Sequence, residues 1–150
     1  SLCEDKNVIV MATANAPQGI SAMIAFDSTM ALEDNKENML DAISNVKSGQ
    51  VTYAVRDTSI DGKEIHQNDI MGIGDKGLVS VGTDISDVTF DLIKDAVDED
   101  SELISIYYGK DIQKEDAEAF AARTAESFPD CDVQIYYGGQ PIYYYIVSVE

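Results

Sequence analysis

The alternation of apolar and polar residues after residue 49 narrows the range of folds more than any other feature of the sequence. Val51, Tyr53 and Val55 occupy every second position of residues 50–56. This spacing is typical of a half-buried strand, because neighbouring strand residues point to opposite faces. Asp61-Gly62 is a strong hairpin signal, and residues 75–77 supply another turn. The sequence therefore predicts three consecutive antiparallel strands, at 50–56, 64–73 and 78–81.

The remaining residues alternate between helical and strand spacing. Apolar residues at 85–96 trace one face of a helix, and residues 102–108 have the pattern of a strand. Asp111 is expected to cap a second helix with an apolar stripe over 117–124, followed by strands at 132–137 and 142–149. The predicted fold class is α/β, with a mixed β-sheet in which antiparallel hairpins are followed by alternating helices and strands.

The first 48 residues are organised differently. Residues 8–12 form an apolar run of strand length, and Pro17 suits the first turn of a following helix. Helical spacing then predicts two helices on either side of the polar stretch 33–37. We expect residues 1–48 to be the tail of one α/β lobe and residues 49–150 to form a second, mixed-sheet lobe. Because Ser1 stands in place of a methionine, we expect the chain to be a piece of a longer protein.

Charge and cysteine content exclude several classes of function. The net charge of -18 at pH 7 would repel nucleic acid and anionic lipid headgroups. No apolar run approaches the ~20 residues that span a bilayer, so neither nucleic-acid binding nor membrane insertion is expected. Cys3 and Cys131 are the only cysteines and form no CxxC pair, which fits a reducing cytosol and a cytoplasmic location. No metal site is predicted.

Recognised catalytic motifs are absent from the sequence. It contains no GxxxxGK[ST], GxSxG or HExxH motif, and no GxGxxG after a strand, so no catalytic residue is assigned. Arg56 stands out as a lone basic residue in a predicted strand. If it is buried, it needs either a salt bridge within this acidic chain or a ligand carboxylate. In both cases we expect Arg56→Ala to lower the melting temperature or the partner affinity more than Arg123→Ala does.

Seven of the eight tyrosines lie in three runs, at 107–108, 136–137 and 143–145, each in a predicted strand. Adjacent strand residues point to opposite faces, so each run places at least one phenol on each side of the sheet. The sheet is therefore either covered on both faces or exposes an aromatic surface. Tyrosine is enriched in protein interfaces because it joins a large apolar ring to a polar tip.

Several separated blocks of the sequence resemble one known family. They are GQVTYAVRDT at 49–58, DGK at 61–63, NDIMGI at 68–73, YGGQPIY at 137–143 and the ending SVE at 148–150, together with APQGISA at 16–22. In this order they resemble the C-terminal region of the ATP-binding subunit of bacterial fatty acid kinase. That subunit is related to dihydroxyacetone kinases, and its C-terminal region is similar in fold to the DegV family.

This resemblance implies a larger kinase chain, in which ATP and Mg²⁺ bind an upstream domain and no cofactor binds the present residues. It implies two partners: a DegV-like protein that holds the fatty acid for phosphorylation, and the upstream domains of the same chain. In lipid-binding relatives a histidine in a glycine- and proline-rich turn helps to hold the carboxylate. Gly138, Gly139, Gln140 and Pro141 match that turn by position but include no histidine.

The residues singled out for binding a ligand or partner are thus Arg56, the four turn residues and Tyr143. The resemblance, together with the absence of catalytic motifs, favours a non-catalytic C-terminal interaction or regulatory domain that supports phosphorylation of a fatty acid held by the partner. The alternatives are a DegV-like module that binds a fatty acid itself and an independent phosphotransferase. The sequence leaves open whether the chain forms a homodimer.

Overall fold

The computed structural model describes residues 8–60 and 62–150. The chain divides into two compact units, Ser1–Val46 and Lys47–Glu150. Whether they correspond to the two predicted lobes stays a prediction. Within the described residues, no helix combines the length and the apolar character needed to cross a bilayer.

The first unit contains two helices, α1 (Ala16–Ile24) and α2 (Leu32–Asn45). The start of α1 agrees with the sequence: Pro17 lies in its first turn, and the side chain of Asn15 accepts a hydrogen bond of 3.0 Å from the Gln18 amide. The prediction of a polar stretch between two helices was wrong, because residues 33–37 lie inside α2. Glu33 and Asp34 fit its first turn, since carboxylates stabilise a helix N-terminus.

The strand predicted at residues 8–12 was also wrong, because these residues form no regular secondary structure. Val8 and Val10 are 61% and 90% exposed. An apolar run forms a strand only when another strand offers its backbone hydrogen bonds, and the sequence pattern carries no information about that partner.

Asn35 fixes the connection between the two helices of the first unit. Its side chain is buried, accepts a 2.8 Å hydrogen bond from the Asp27 amide, and donates to the carbonyls of Asp27 at 2.6 Å and Met30 at 3.3 Å. One amide side chain therefore satisfies three backbone groups of the loop before α2.

The second unit is built on a mixed six-stranded sheet, which confirms the predicted α/β class. Its strand order is β5-β4-β1-β8-β6-β7, with β6 and β7 parallel and the other pairs antiparallel. Consequently β1, β5, β6 and β7 run in one direction, and β4 and β8 run in the other. The strands of this sheet are β1 (Lys47–Tyr53), β4 (Ile70–Gly74), β5 (Gly77–Gly82), β6 (Leu103–Tyr108), β7 (Asp132–Tyr137) and β8 (Tyr145–Val149).

The hairpin signal was assigned to the wrong pair of strands. β1 pairs with β4 and β4 with β5, as predicted, but the turn at Gly62 (φ +79°) joins β2 (Thr58–Ile60) to β3 (Lys63–Ile65), which form a separate two-stranded sheet. Asp61 lies outside the described residues. The β1–β4 pairing closes at Ala54, whose amide donates to the Asp69 carbonyl at 2.8 Å. The small hairpin therefore projects from the connection between two paired strands.

Two helices cover one face of the six-stranded sheet. α3 (Ile85–Ala96) presents Val88 and Leu92 to this face, where Leu92 fits against Gly49, Gly72 and Gly74. α4 (Lys114–Ser127) packs the Phe120 ring 5.3 Å from the ring of Tyr145. The registers place Gly49 and Tyr145 on the same face, because Val51, two residues after Gly49, lies opposite Tyr145. Both helices therefore lie on one side.

Three further sequence expectations were wrong in detail. β1 begins at Lys47 and ends at Tyr53, not at residues 50 and 56. Asp111 does not cap α4, which begins after Gln113. β8 begins at Tyr145 and not at residue 142, because Ile142 has a φ of +75°, outside the extended region that a strand requires.

Candidate functional site

One end of the sheet collects the features that could recognise another molecule. The carboxyl ends of β1, β5, β6 and β7 meet there, and α3 and α4 start close after β5 and β6. Open α/β sheets bind ligands at the carboxyl ends of their parallel strands, where loops and helix N-termini converge. A turn over residues 138–143 and a cleft beside α3 and α4 both lie at this end.

The turn over residues 138–143 is tied to the end of β6 by backbone hydrogen bonds. The Gly138 amide donates to the Tyr108 carbonyl at 3.0 Å, and the Lys110 amide donates to the Gln140 carbonyl at 3.2 Å. The side chain of Gln140 donates to the Tyr107 carbonyl at 3.0 Å. Gln140 thus has a structural role here, because its side chain hydrogen-bonds to the end of β6.

Two residues of this turn have left-handed backbone conformations, Gly139 (φ +66°) and Ile142 (φ +75°). Glycine adopts such a conformation without steric cost, whereas isoleucine does not. The buried Thr52 hydroxyl donates to the Ile142 carbonyl at 3.0 Å, and the Tyr144 amide donates to the Val51 carbonyl at 2.8 Å. These bonds to β1 hold the strained residue, whose side chain is 56% exposed.

Arg56 lies in an exposed bend after the end of β1, outside the strand predicted for it. No ion pair that the structure describes includes Arg56. The condition on which its predicted importance depended, burial within a strand, is therefore not met. Pro141 is exposed and Tyr143 half-buried in the turn. A binding role for Arg56, Gly138, Gly139, Gln140, Pro141 or Tyr143 stays a prediction.

A cleft of about 440 Å³ lies between the start of α3, the first turns of α4 and β8. Its polar lining consists of Thr83, Asp84, Ser86, Asp116, Arg123 and Tyr145. Ile112 and Phe120 contribute apolar walls. None of these residues was a candidate from the sequence. The spacing of Asp116, Phe120 and Arg123 places them on one helical face, which could have grouped those three but not the others.

Arg123 has the structural partners that were expected for Arg56. Its guanidinium donates to a carboxylate oxygen of Asp87 at 3.1 Å, and its central carbon lies 4.9 Å from the centre of the Phe90 ring. This contact joins α4 to α3 through an ion pair and a cation–π interaction. From these contacts we expect Arg123→Ala to lower stability more than Arg56→Ala, and which substitution is more harmful stays a prediction.

Tyr145 is the most enclosed polar residue of the cleft, with an exposed fraction of 1%. Burial, and secondarily the neighbouring Asp116 carboxylate, raise the pKa of Tyr145 to about 12. The phenol is therefore neutral at physiological pH and can both donate and accept a hydrogen bond.

The sheet face opposite α3 and α4 carries a second feature, a stacked pair of tyrosines. Tyr107 of β6 and Tyr136 of β7 are register partners whose rings lie 5.3 Å apart at 23°. Tyr136 is 44% exposed, and its hydroxyl hydrogen-bonds to Gln134 on the same strand face. We call Tyr107 and Tyr136 the tyrosine pair.

The sequence prediction for the tyrosines is confirmed for two of the three runs. Tyr108 and Tyr137 point to the sheet face that α3 and α4 cover, whereas Tyr107 and Tyr136 point to the opposite face. The third run was placed wrongly in a strand, since only Tyr145 of residues 143–145 belongs to β8. Among the described residues, no group of three or more His, Cys, Asp or Glu side chains could hold a metal ion.

Comparison with known proteins shows which family this fold and sequence represent. The model of the FakA-like C-terminal family of fatty acid kinase matches residues 1–150. The chain belongs to this family. Over 97% of the present chain, it is 42% identical to Protein YloV of Bacillus subtilis. Over the same share of the chain, it is 40% identical to an uncharacterized protein of Staphylococcus aureus strain USA300.

The matched relatives are much longer than this chain, which spans about a quarter of their length (26% and 27%). Among solved structures, the fold is similar to the Streptococcus pneumoniae fatty acid kinase B3 protein loaded with linoleic acid. The TM-score is 0.57 at 13% identity, over 89% of this chain and 54% of that one. A mixed α/β fold is thus shared by this family member and a protein named for the same kinase.

Proposed function

We propose that this chain is a non-catalytic interaction and regulatory domain of a fatty acid kinase subunit in the cytoplasm. In this proposal, ATP and Mg²⁺ bind upstream domains of a longer chain, and the fatty acid is held by a separate DegV-like protein. The family match over residues 1–150 supports the kinase context. The proposed activity of the complete assembly is ATP-dependent phosphorylation of the fatty acid carboxylate.

The observation that carries the proposed interaction role is the tyrosine pair. Tyr107 and Tyr136 stack on the sheet face opposite α3 and α4, and Tyr136 is 44% exposed. Stacked, half-exposed phenols offer a rigid apolar surface with polar tips, the kind of surface enriched at the centres of protein interfaces. The net charge of -18 supports a partner whose docking face is basic.

Adjacent tyrosines on β7 provide a matched test of this surface. Tyr136→Ser removes an exposed ring from the tyrosine pair, whereas Tyr137→Ser removes a 66% exposed ring directed to the helix face. Each variant would be introduced into the complete kinase protein, and binding to the lipid-loaded DegV-like protein measured by calorimetry. We expect about a tenfold or greater loss of affinity for Tyr136→Ser, as for an interface hot spot, and little change for Tyr137→Ser.

Acyl phosphate formation would be measured with the same variants. The proposal requires product formation to fall with binding for Tyr136→Ser and to recover at high partner concentration. Removal of residues 1–150 from the kinase protein should have the same effect in a stronger form. Unchanged binding and unchanged acyl phosphate formation after that removal would eliminate the proposed role.

A second candidate function is that the chain itself binds a fatty acid. The observation in its favour is the similar fold of a protein that was solved loaded with linoleic acid. Native mass spectrometry of the purified chain after incubation with linoleic acid tests this candidate directly. A stoichiometric acyl adduct that disappears in Arg56→Ala would support it, and the absence of any adduct would refute it.

A further inference from the structure

The polar groups that line the cleft beside α3 and α4 are not equally satisfied. Asp84 accepts a 2.9 Å hydrogen bond from the Asp87 amide at the start of α3, and Arg123 pairs with Asp87 at 3.1 Å. Within the described part of the chain, neither Asp116 nor Tyr145 makes a side-chain hydrogen bond or an ion pair with another residue. Every fully buried side-chain polar atom there has a partner, so the Tyr145 hydroxyl is open to the cleft. Among the charged and phenolic side chains of the cleft, these two are therefore the ones free to bind another molecule.

Tyr145 is the informative member, because it is 1% exposed and yet directed into the cleft. The hydroxyl of a largely buried tyrosine ordinarily has a hydrogen-bond partner, and within the described residues only a molecule in the cleft can supply one here. Tyr145 could have been a phenylalanine if packing against Phe120 were its whole role. A ligand that hydrogen-bonds to this hydroxyl explains why a polar atom is placed there.

The available groups select the chemistry of that ligand. The ionised Asp116 carboxylate can accept hydrogen bonds but cannot donate them, and the Tyr145 oxygen can accept a hydrogen bond as well. Asp116 contributes a negative charge without an ion-pair partner among the described residues, whereas the charge of Arg123 is paired with Asp87. The positive end of α3 is offset by its Asp84 cap. The cleft therefore favours a cation that donates hydrogen bonds.

We propose that this cleft binds an aliphatic cation, with an ammonium or guanidinium group between the Asp116 carboxylate and the Tyr145 hydroxyl. The hydrocarbon stem of the ligand lies along Ile112 and Phe120, the apolar walls of the cleft. A free small amine and a lysine or arginine side chain of a protein share this chemistry. The proposal is independent of the role proposed for the tyrosine pair, which lies on the other sheet face.

The decisive experiment compares three probes of equal length and different charge: n-pentylamine, n-pentanol and pentanoate. Each is titrated into the isotope-labelled chain while amide resonances of residues 112–124 are followed by NMR. We expect saturable shifts with pentylamine, binding at least tenfold weaker with pentanol, and no saturation with pentanoate. Equal binding of all three probes would show a nonspecific apolar crevice and would overturn the proposal.

Two variants separate the proposed contacts from overall charge. Asp116→Asn should weaken pentylamine binding about tenfold or more, whereas Glu126→Gln removes the same charge from an exposed site later on α4 and should leave binding within twofold. Tyr145→Phe keeps the buried ring and should weaken binding severalfold. Wild-type affinity in both Asp116→Asn and Tyr145→Phe would refute the site, provided that the amide spectra show both variants folded.

A second arm identifies the source of the cation. It uses N-acetyl-lysine methylamide, which presents the same ammonium on a peptide backbone. Tighter binding than pentylamine supports a protein side chain as the natural ligand, and weaker binding supports a free amine. Failure of both probes to bind would contradict the proposal in either form.

Discussion

The packing of Leu92 against glycine in β1 gives a quantitative prediction for Gly49→Ala. A methyl group at position 49 would lie 2.7, 2.8 and 2.9 Å from three side-chain carbons of Leu92, closer than such carbons approach each other in proteins. Leu92 is 1% exposed and also faces Gly72 and Gly74, so a shift of its side chain disturbs neighbouring contacts. Forcing one extra methyl group into a well-packed core costs about 1–3 kcal/mol, and we expect the upper half of that range.

The location of the tyrosines makes this change measurable in the second unit alone. The chain has eight tyrosines and no tryptophan, and every tyrosine lies at position 53 or later. Urea unfolding followed by tyrosine fluorescence therefore reports on Lys47–Glu150. For Gly49→Ala we expect a lower midpoint with an unchanged dependence on urea, the signature of a pure loss of stability.

A double-mutant cycle with Leu92→Ala can refute this reasoning. Leu92→Ala alone should cost about 2–5 kcal/mol because it leaves a cavity. In that background the methyl group at position 49 enters the vacated space, so Gly49→Ala should become neutral or stabilising. The coupling energy is expected to be about 1–3 kcal/mol. Additive effects of the two substitutions would show that the predicted clash does not exist.

Three further outcomes are expected. Burial raises the pKa of Tyr145 to about 12. The stability that depends on its neutral phenol is therefore complete below the ordinary tyrosine pKa of about 10 and falls as the pH rises toward 12. In Tyr145→Phe, the urea midpoint should decline less between pH 10 and 12. Arg123→Ala should lower the unfolding free energy by about 0.5–1.5 kcal/mol, and Arg56→Ala by less than about 0.5 kcal/mol. Asn35→Ala should destabilise the first unit by about 1–3 kcal/mol, seen as faster amide exchange at residues 27–45.

Each of these outcomes has a matched control. Tyr137→Phe removes the hydroxyl of a 66% exposed tyrosine and serves as the control for Tyr145→Phe. Asn38→Ala removes an exposed amide of α2 that donates a 3.4 Å hydrogen bond to the Met30 sulfur, so amide exchange in this variant should match that of the wild type. An Arg56→Ala variant less stable than Arg123→Ala would contradict the roles inferred for the two arginines.

The parts of the fold that sequence reasoning predicted are those fixed by local periodicity. The predicted bounds of α3 agree with the structure because apolar residues over 85–96 repeat at helical spacing. The predicted bounds of β6 and β7 agree within one residue because each short apolar run ends at turn residues. The failures concern pairing. Residues 8–12 lack a strand, and the Gly62 turn joins β2 to β3, because a one-dimensional pattern does not specify which segments exchange hydrogen bonds.

The site was less predictable than the fold for the same reason. The sequence places Arg56 in a strand because the alternation of residues 50–56 continues past Tyr53, where β1 ends. The cleft brings Asp84, Asp116 and Tyr145 together from three elements that are distant in sequence. This proximity depends on the strand order of the sheet and on the placement of both helices on one face, neither of which a local sequence pattern specifies.

The strained conformation of Ile142 bears on how this end of the molecule tolerates mutation. A glycine there would relax the backbone, and a β-branched residue with positive φ is among the least favourable choices. The chain nevertheless holds an exposed isoleucine in that conformation through the Thr52 and Val51 anchors. Substitutions at Thr52, buried and remote in sequence, should therefore release the loop and reorient an apolar tip that a neighbouring molecule could contact.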